Sequence, residues 1–262
     1  NQLELLKNDS LIQNYPRLQI APGRSIGFIK ENHLPIVLYE RSSPFLPNYS
    51  GLISNAHIES NRRGGYTLGQ DSLELTTRLN DLKIRFTTDG TIPQRHNALF
   101  EGPMALDESA YSTSTSNSIV NTAAQLNWHA SDSARKNIVI SAALFDDVGR
   151  RRSQVLVRTF EVVAQKSQPL PIISINGEWN DLYSDENGIL VPGVTAFQGR
   201  GDGNFEQRGR DWEREVNFEF YELGGPGLNV RAGLRVHGGS GRKNQQKGLR
   251  LYARKSYGTE SF

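Results

Sequence analysis

Short segments rich in β-branched and aromatic residues recur along this chain, and they constrain its fold more than any other feature of the sequence. Several alternate polar and apolar residues with period two, and turn signals such as Asp89-Gly90 and Gly238-Gly239 separate them. Residues 123–134 form the main segment that also fits a helical period. The pattern predicts a mostly β protein that contains a β-sandwich. The predicted strands are 72–77, 83–88, 137–145, 154–163, 215–221, 233–237 and 248–253.

Length and composition exclude several classes of protein and site. With 262 residues, the chain suits one large or two medium domains, and it has no apolar run of membrane-spanning length. The absence of cysteine excludes disulfides, thiolate metal sites and a cysteine nucleophile. The five histidines lack metal-ligand spacing, and a net charge of +2 is too small to argue for nucleic acid as a partner. No signal peptide is visible at Asn1.

A polar segment with two prolines, residues 165–171 (QKSQPLP), predicts a linker between two domains. We therefore expect a first domain over 51–164 and a second over 172–262. Residues 1–50 contain scattered prolines and short apolar runs, and they form either a leading arm or extra strands.

The segment 231–255 forms a local positive field, because it carries eight Lys and Arg residues and no acid occurs between Glu222 and Glu260. A loop rich in Gly and polar residues separates its two predicted strands. Backbone N–H groups and cations together suit a phosphate. Two alternatives stay open: a solvated basic hairpin, and a surface that binds polyanions through all eight cations.

The first domain contains motifs of a known module. Residues 83–93 read KIRFTTDGTIP, residues 99–106 read LFEGPMAL, and a closing hairpin follows over 138–162. In this order the motifs resemble the chitobiase/β-hexosaminidase C-terminal-type module, over roughly 61–163 with an insertion near 107–135. The resemblance implies an immunoglobulin-like sandwich, followed here by a second β-rich domain.

Two groups of residues in the first domain have to be weighed as functional sites. The carboxylates lie at turn signals, where Asp bonds its own backbone, so we expect them to be structural rather than catalytic. They are Asp89, Asp107, Asp146 and Asp147. Three aromatic residues, Tyr66, Phe100 and Tyr111, either bind sugar from an exposed face or pack at a core or edge, and the sequence favours packing.

The second domain carries a longer set of motifs. Residues 170–177 read LPIISING, 187–191 read NGILV, 212–216 read WEREV, and 233–257 read GLRVHGGSGRKNQQKGLRLYARKSY. Their order and spacing resemble the opening segment of the spore-coat protein H (CotH) family of atypical protein kinases. The resemblance covers nearly all of residues 170–262, although Gly248 stands where the family commonly has Ser.

The resemblance to CotH proteins implies a β-rich region that holds nucleotide phosphates through Ser240, Lys243 and Lys247. It also implies ATP and Mg²⁺ as cofactors of the full-length protein, a protein substrate, and a secreted or cell-surface location in a bacterium. If Leu249 and Leu251 face a core, Lys247 shares their side of the strand. The family's later Asp and Asn residues belong beyond Phe262, so we expect a fragment that is inactive alone, with no catalytic residue or metal ligand assigned. The alternative is a non-catalytic adhesion or glycan-binding surface protein.

Overall fold

The structure, a computed structural model, describes residues 51–107, 122, 137–163, 170–194, 203–222 and 227–262, together with four strands among the first 50 residues. The protein is mostly β, as the sequence predicted. In chain order the strands are β1 (Leu3–Lys7), β2 (Ser10–Tyr15), β3 (Ser25–Phe28), β4 (Ile36–Tyr39), β5 (Glu59–Ser60), β6 (Gly65–Thr67), β7 (Ser72–Leu73), β8 (Leu75–Thr76), β9 (Lys83–Thr87), β10 (Met104–Ala105), β11 (Ile138–Phe145), β12 (Leu156–Val162), β13 (Ile172–Gly177), β14 (Arg214–Tyr221), β15 (Leu228–His237) and β16 (Gly248–Tyr252), and the short helix α1 (Trp179–Tyr183) follows β13.

The first unit has a four-stranded sheet in the order β6-β12-β11-β9, in which only β6 and β12 run parallel. Alternate residues of β11, from Ile138 to Leu144, point into the first apolar core. The short pairs β7–β10 and β5–β8 contribute Leu73 and Leu75 to the same core. Apolar residues of the four-stranded sheet and of these short pairs therefore share one core.

The prediction of a single strand over 72–77 is wrong, because the chain changes its β-strand partner at Glu74. Before it, β7 pairs with β10, and after it, β8 pairs with β5. Hydrogen bonds of 2.8 and 3.2 Å join Glu74 to the side chain and backbone of Asn61 at the change. Alternation alone predicts the inward direction of Leu73 and Leu75 but not this division.

A buried ion pair fixes the start of the first unit to its closing hairpin. Arg152 has no solvent exposure, and its Nε donates to Asp146 Oδ2 at 2.9 Å. Its Nη1 donates to the carbonyl of Gly51 at 2.9 Å, and its own carbonyl accepts from the backbone of Ile53 at 2.8 Å. Asp146 also accepts a hydrogen bond of 2.8 Å from the Arg150 backbone, which is a turn role. Asp146 therefore makes the turn contact that the sequence predicts and also pairs with the buried Arg152.

Two hairpins, β1–β2 and β3–β4, lie within residues 1–50, so this region contains extra strands. Tyr39, at the end of β4, is buried in the first core. Between the two units, β12 ends at Val162 and β13 begins at Ile172. Residues 165–169 of the predicted linker 165–171 and the segment 123–134 lie outside the described residues, so the division into domains stays a prediction.

The second unit is built on an antiparallel sheet in the order β13-β14-β15-β16. Alternation places Val216, Leu234 and Val236 on one face, where they pack with Leu182 of α1 and with Phe205 in a second core. The opposite face is mainly polar, because the other residues of β14 and β15 are mostly charged or amide side chains.

Four residues join the polar face of the second sheet to the first sheet, and we call Thr159, Glu219, Tyr221 and Asn229 the buried clamp. Glu219 has no solvent exposure. Its carboxylate accepts from Thr159 Oγ1 at 2.5 Å and from Asn229 Nδ2 at 2.7 Å. The Tyr221 hydroxyl lies 2.6 Å from Glu219 Oε1 and 2.7 Å from the Arg63 carbonyl, and it shares its one proton between them.

The clamp continues into the backbone of the first unit. Asn229 Nδ2 also donates to the carbonyl of Val157 at 2.8 Å. Gly64 adopts φ +100°, and a Cβ there would lie 2.2 Å from the Tyr221 hydroxyl oxygen. Only glycine allows the first unit to approach the Tyr221 ring this closely.

Candidate functional site

The three residues that the sequence assigned to phosphate lie in the loop between β15 and β16, residues 238–247. Gly238 adopts φ 120° at the end of β15, and the chain then makes a 3₁₀ turn over Ser240–Lys243. The positive φ value turns the chain away from the sheet direction directly after His237. The loop thereby folds towards the face of the sheet that carries the second core.

Arg242 holds this loop in place. Its side chain is buried, and its Nε donates to the carbonyl of Gly238 at 2.7 Å. Its Nη1 donates to the carbonyls of Phe205 and Gln207 at 2.9 and 3.1 Å. Burial lowers the pKa of Arg242. Arg242 is thus a structural cation that fastens the loop to the segment before β14.

Lys247 lies beside the same segment. Its Nζ is 4.4 Å from the centre of the Phe205 ring, and it donates to the carbonyl of Asn244 at 2.7 Å and to the carbonyl of Thr122. Burial lowers the pKa of the Lys247 amine to about 8. Lys247 lies on the side of Leu251, which packs against the second core, whereas Leu249 is 41% exposed. Lys247 therefore lies on the core side of the strand, as predicted, although Leu249 is not a core residue.

Lys243 and Ser240 have different surroundings. Lys243 is exposed, and its Nζ lies 3.9 Å from Glu206 Oε1. Lys243 and Lys247 therefore approach the adjacent residues Glu206 and Phe205. Ser240 is exposed at the start of the turn. The structure brings the two lysines to one short segment, and it adds a carboxylate that the sequence analysis did not assign.

A second charged cluster occupies the polar face of the sheet. The Glu213 side chain has no exposure, and it accepts hydrogen bonds of 2.5 to 2.8 Å from Arg235 and Arg254. The Tyr257 hydroxyl donates to it at 3.0 Å. The Arg254 hydrogen bond, with those from Arg235 and Tyr257, lowers the pKa of Glu213 to about 2 against the effect of burial. Glu213 sits over Gly233, where a Cβ would lie 2.4 Å from its carboxylate.

The eight cations of 231–255 are consequently not equivalent. Arg231 pairs with Glu215 at 2.9 Å, and Lys255 lies 3.6 Å from Glu260 at the surface. Arg250 lies 3.1 Å from the His237 ring. The cations of this segment do not all face solvent in the same way. Glu213 binds Arg235 and Arg254, and backbone carbonyls bind Arg242.

The aromatic residues weighed as sugar contacts make packing contacts or hydrogen bonds. Phe100 lies edge-on to Phe86 with ring centres 5.7 Å apart, next to the first core. The Tyr66 hydroxyl donates to the carbonyl of Leu170. Tyr111 lies outside the described residues.

The described ranges contain no group of three or more His, Asp or Glu side chains that could hold a metal ion. The carboxylate of Asp89 accepts from Thr91, at 3.0 Å from its N and 2.6 Å from its Oγ1, as expected of a turn. Helices in the described part of the chain are all too short or too polar to cross a bilayer.

Comparisons with protein-family models, with curated proteins and with solved structures find no match to this chain.

Proposed function

We propose that the loop 238–247 contacts the phosphate groups of a nucleotide, with Lys247 as the principal cation. Lys243 and Ser240 are further contacts from the exposed side of the same loop. The observation that carries the proposal is the environment of Lys247, a half-buried amine against Phe205 whose pKa is lowered to about 8 by burial. A phosphate dianion beside such an amine favours the charged form of the amine, which burial disfavours.

The rigid attachment of the loop supports the same proposal. Arg242 binds carbonyls of both the loop and the Phe205–Gln207 segment, so the Lys247 side chain projects from a fixed frame. A preorganised frame loses less conformational entropy when a ligand binds. Two of the three Lys247 Nζ donors already bind the carbonyls of Asn244 and Thr122, so one donor is left for phosphate, which limits the affinity of a nucleotide.

On the resemblance described above, the chain is a chitobiase C-terminal-type module followed by the N-terminal part of a CotH-like domain, in a secreted or surface protein of a bacterium. ATP and Mg²⁺ are then the cofactors of the full-length protein. Ser240, Lys243 and Lys247 suit the phosphates, whereas the described residues offer no cluster for the metal. Phosphoryl transfer needs that metal and a residue that orients the acceptor, so we expect residues 1–262 alone to be inactive.

Titration calorimetry with ATP, with and without Mg²⁺, tests the proposal. Lys247→Ala should weaken ATP binding by at least about tenfold, the change expected when one hydrogen bond to a charged group is lost. Lys255→Ala is the matched control, because Lys255 is an exposed cation of the same segment that lies 3.6 Å from Glu260. Arg254→Ala is unsuitable as a control, because it would leave Glu213 without one of its partners.

The outcome separates the three functions considered from the sequence. Loss of binding with Lys247→Ala and not with Lys255→Ala supports the phosphate loop. Equal losses for both variants, with a steep dependence on salt, would assign the segment to polyanion binding. No ATP binding by a folded protein, together with binding to a glycan array, would favour the non-catalytic adhesion protein.

A further inference from the structure

Two arginines lie directly opposite each other on the polar face of the second sheet. Arg235 of β15 is the cross-strand partner of Arg250 of β16, so both side chains leave the same face. Like charges in this position destabilise a sheet unless an anion lies between or beside them.

Glu213 compensates only one member of this pair. Its carboxylate binds Arg235 and Arg254, each through Nε and Nη2. Both guanidinium groups also lie against the Tyr252 ring, with their Cζ atoms 4.3 and 5.0 Å from its centre. This part of the polar face thus carries three guanidinium groups, those of Arg235, Arg250 and Arg254, and the one carboxylate of Glu213. Another acid of the sheet, Glu215, is paired with Arg231.

Arg250 has an unusual contact for a cation. Its Nη2 lies 3.1 Å from Nε2 of His237, and both side chains are exposed. A guanidinium nitrogen only donates, so His237 Nε2 is the acceptor in this contact. Arg250 is thereby held in position by a group that does not cancel its charge.

The geometry points to a second oxyanion site on this face, in which Arg250 binds a phosphate group directly, His237 positions the Arg250 guanidinium, and Arg235 adds positive charge from the neighbouring strand. The local excess of two positive charges matches a phosphate dianion, as free phosphate or as a phosphomonoester. The planar guanidinium of Arg250 suits two phosphate oxygens at once. The site is separate from Lys247, because Lys247 and Phe205 lie on the core side of the sheet, whereas Arg235 and Arg250 leave its polar side.

The site does not depend on the nucleotide-binding proposal and is tested with different probes. Titration calorimetry, with inorganic phosphate and with O-phosphoserine, measures binding to the whole chain. Arg250→Ala should weaken binding of both probes at least about tenfold, because it removes a charge-assisted bidentate contact. His237→Ala should weaken binding less, and Arg250→Lys should retain part of the affinity because it keeps the charge without the planar pair of donors.

Lys255→Ala is the matched control, because Lys255 is an exposed cation of the same segment that lies 3.6 Å from Glu260, and it should leave phosphate binding unchanged. Thermal unfolding of each variant verifies that it folds, which we expect because Arg250 and His237 are exposed. Tighter binding of O-phosphoserine than of phosphate would indicate a phosphorylated protein as the ligand, and equal binding would indicate free phosphate. The site is refuted by absence of binding, by equal binding in wild type and Arg250→Ala, or by a loss of binding in Lys255→Ala that equals the loss in Arg250→Ala.

Discussion

Thr159 donates a hydrogen bond to the carboxylate of Glu219, 60 residues further along the chain, at a position where neither side chain is exposed to solvent. Thr159 belongs to the central sheet of the first unit and Glu219 to the sheet of the second. The contact therefore makes the relative position of the two sheets part of the folded core, because a buried carboxylate needs every donor that surrounds it.

Thr159→Val should lower the free energy of unfolding by about 1 to 3 kcal/mol, because it leaves Glu219 with one donor fewer at a buried position. Urea unfolding followed by intrinsic fluorescence measures this. Thr76→Val is the matched control, since Thr76 is an exposed strand residue, and it should change the free energy by less than about 0.5 kcal/mol. Similar values for the two variants would show that the Thr159 hydrogen bond does not stabilise the protein.

Gly64→Ala should destabilise the protein by at least about 2 kcal/mol, because it combines a positive φ with a clash against the Tyr221 ring. Gly102→Ala serves as the control, because a Cβ at Gly102 meets no atom within 4 Å. The double variant with Tyr221→Ala should cost less than the sum of the single changes, since the clashing ring is gone. If the changes in the free energy of unfolding were additive, the close approach of Gly64 to the Tyr221 ring would be contradicted.

Glu213→Gln should destabilise the protein by about 3 kcal/mol at neutral pH, the value that corresponds to a carboxyl pKa of about 2 in the folded state against about 4.3 when unfolded. The folded pKa is lowered, so this stability is present above the unfolded pKa and is lost as the pH falls through the folded one. The free energy of unfolding, measured from pH 5 to pH 2, should therefore fall less steeply in Glu213→Gln than in wild type.

The control for Glu213 is Glu215→Gln, because Glu215 pairs with Arg231 at the surface. It should change stability by less than about 1 kcal/mol. Parallel pH curves for wild type and Glu213→Gln would show that Arg235 and Arg254 do not hold Glu213 ionised.

Lys247→Met should flatten the pH dependence of stability above pH 8. Burial lowers the pKa of Lys247 to about 8 in the folded protein. Between that pH and the ordinary lysine pKa, the unfolded chain therefore binds a proton that the folded protein has released. Wild type should accordingly gain stability relative to Lys247→Met as the pH rises through that window. Lys243→Met, at an exposed position of the same loop, should show the wild-type slope, and a wild-type slope in Lys247→Met would refute the burial of the amine.

The alternation of apolar residues made most strands predictable from the sequence. β9, β11 and β14 lie within one residue of their predicted bounds, because their inward residues recur at every second position. The same alternation predicted the side of the sheet on which Lys247 lies. β15 begins at Leu228, well before the predicted 233, because Asn229 and Arg231 interrupt the apolar pattern where they face the first unit.

The burial of Glu213 and Glu219 could not be identified in the same way. Glu219 and Glu213 have the sequence surroundings of exposed strand residues, and their burial depends on which residues lie opposite them in other strands. Strand register and the packing of one sheet on another are set by residues distant in sequence, and local patterns do not report them. One local signal of ion pairing was that β14 contains acidic residues and lies close in sequence to the basic segment 231–255. This signal indicates that acids and bases pair, but it does not identify the partners.

The buried clamp also determines what happens when the chain is divided. A protease that cleaves between Val163 and Leu170 breaks one covalent connection, but the noncovalent contact through Glu219 and Tyr221 remains. The two pieces should then migrate together until a denaturant separates them. A gene truncated at the same point would produce a second half that exposes the Glu219 carboxylate without Thr159, so the boundary that is easiest to see in the sequence is a poor place to begin a shortened protein.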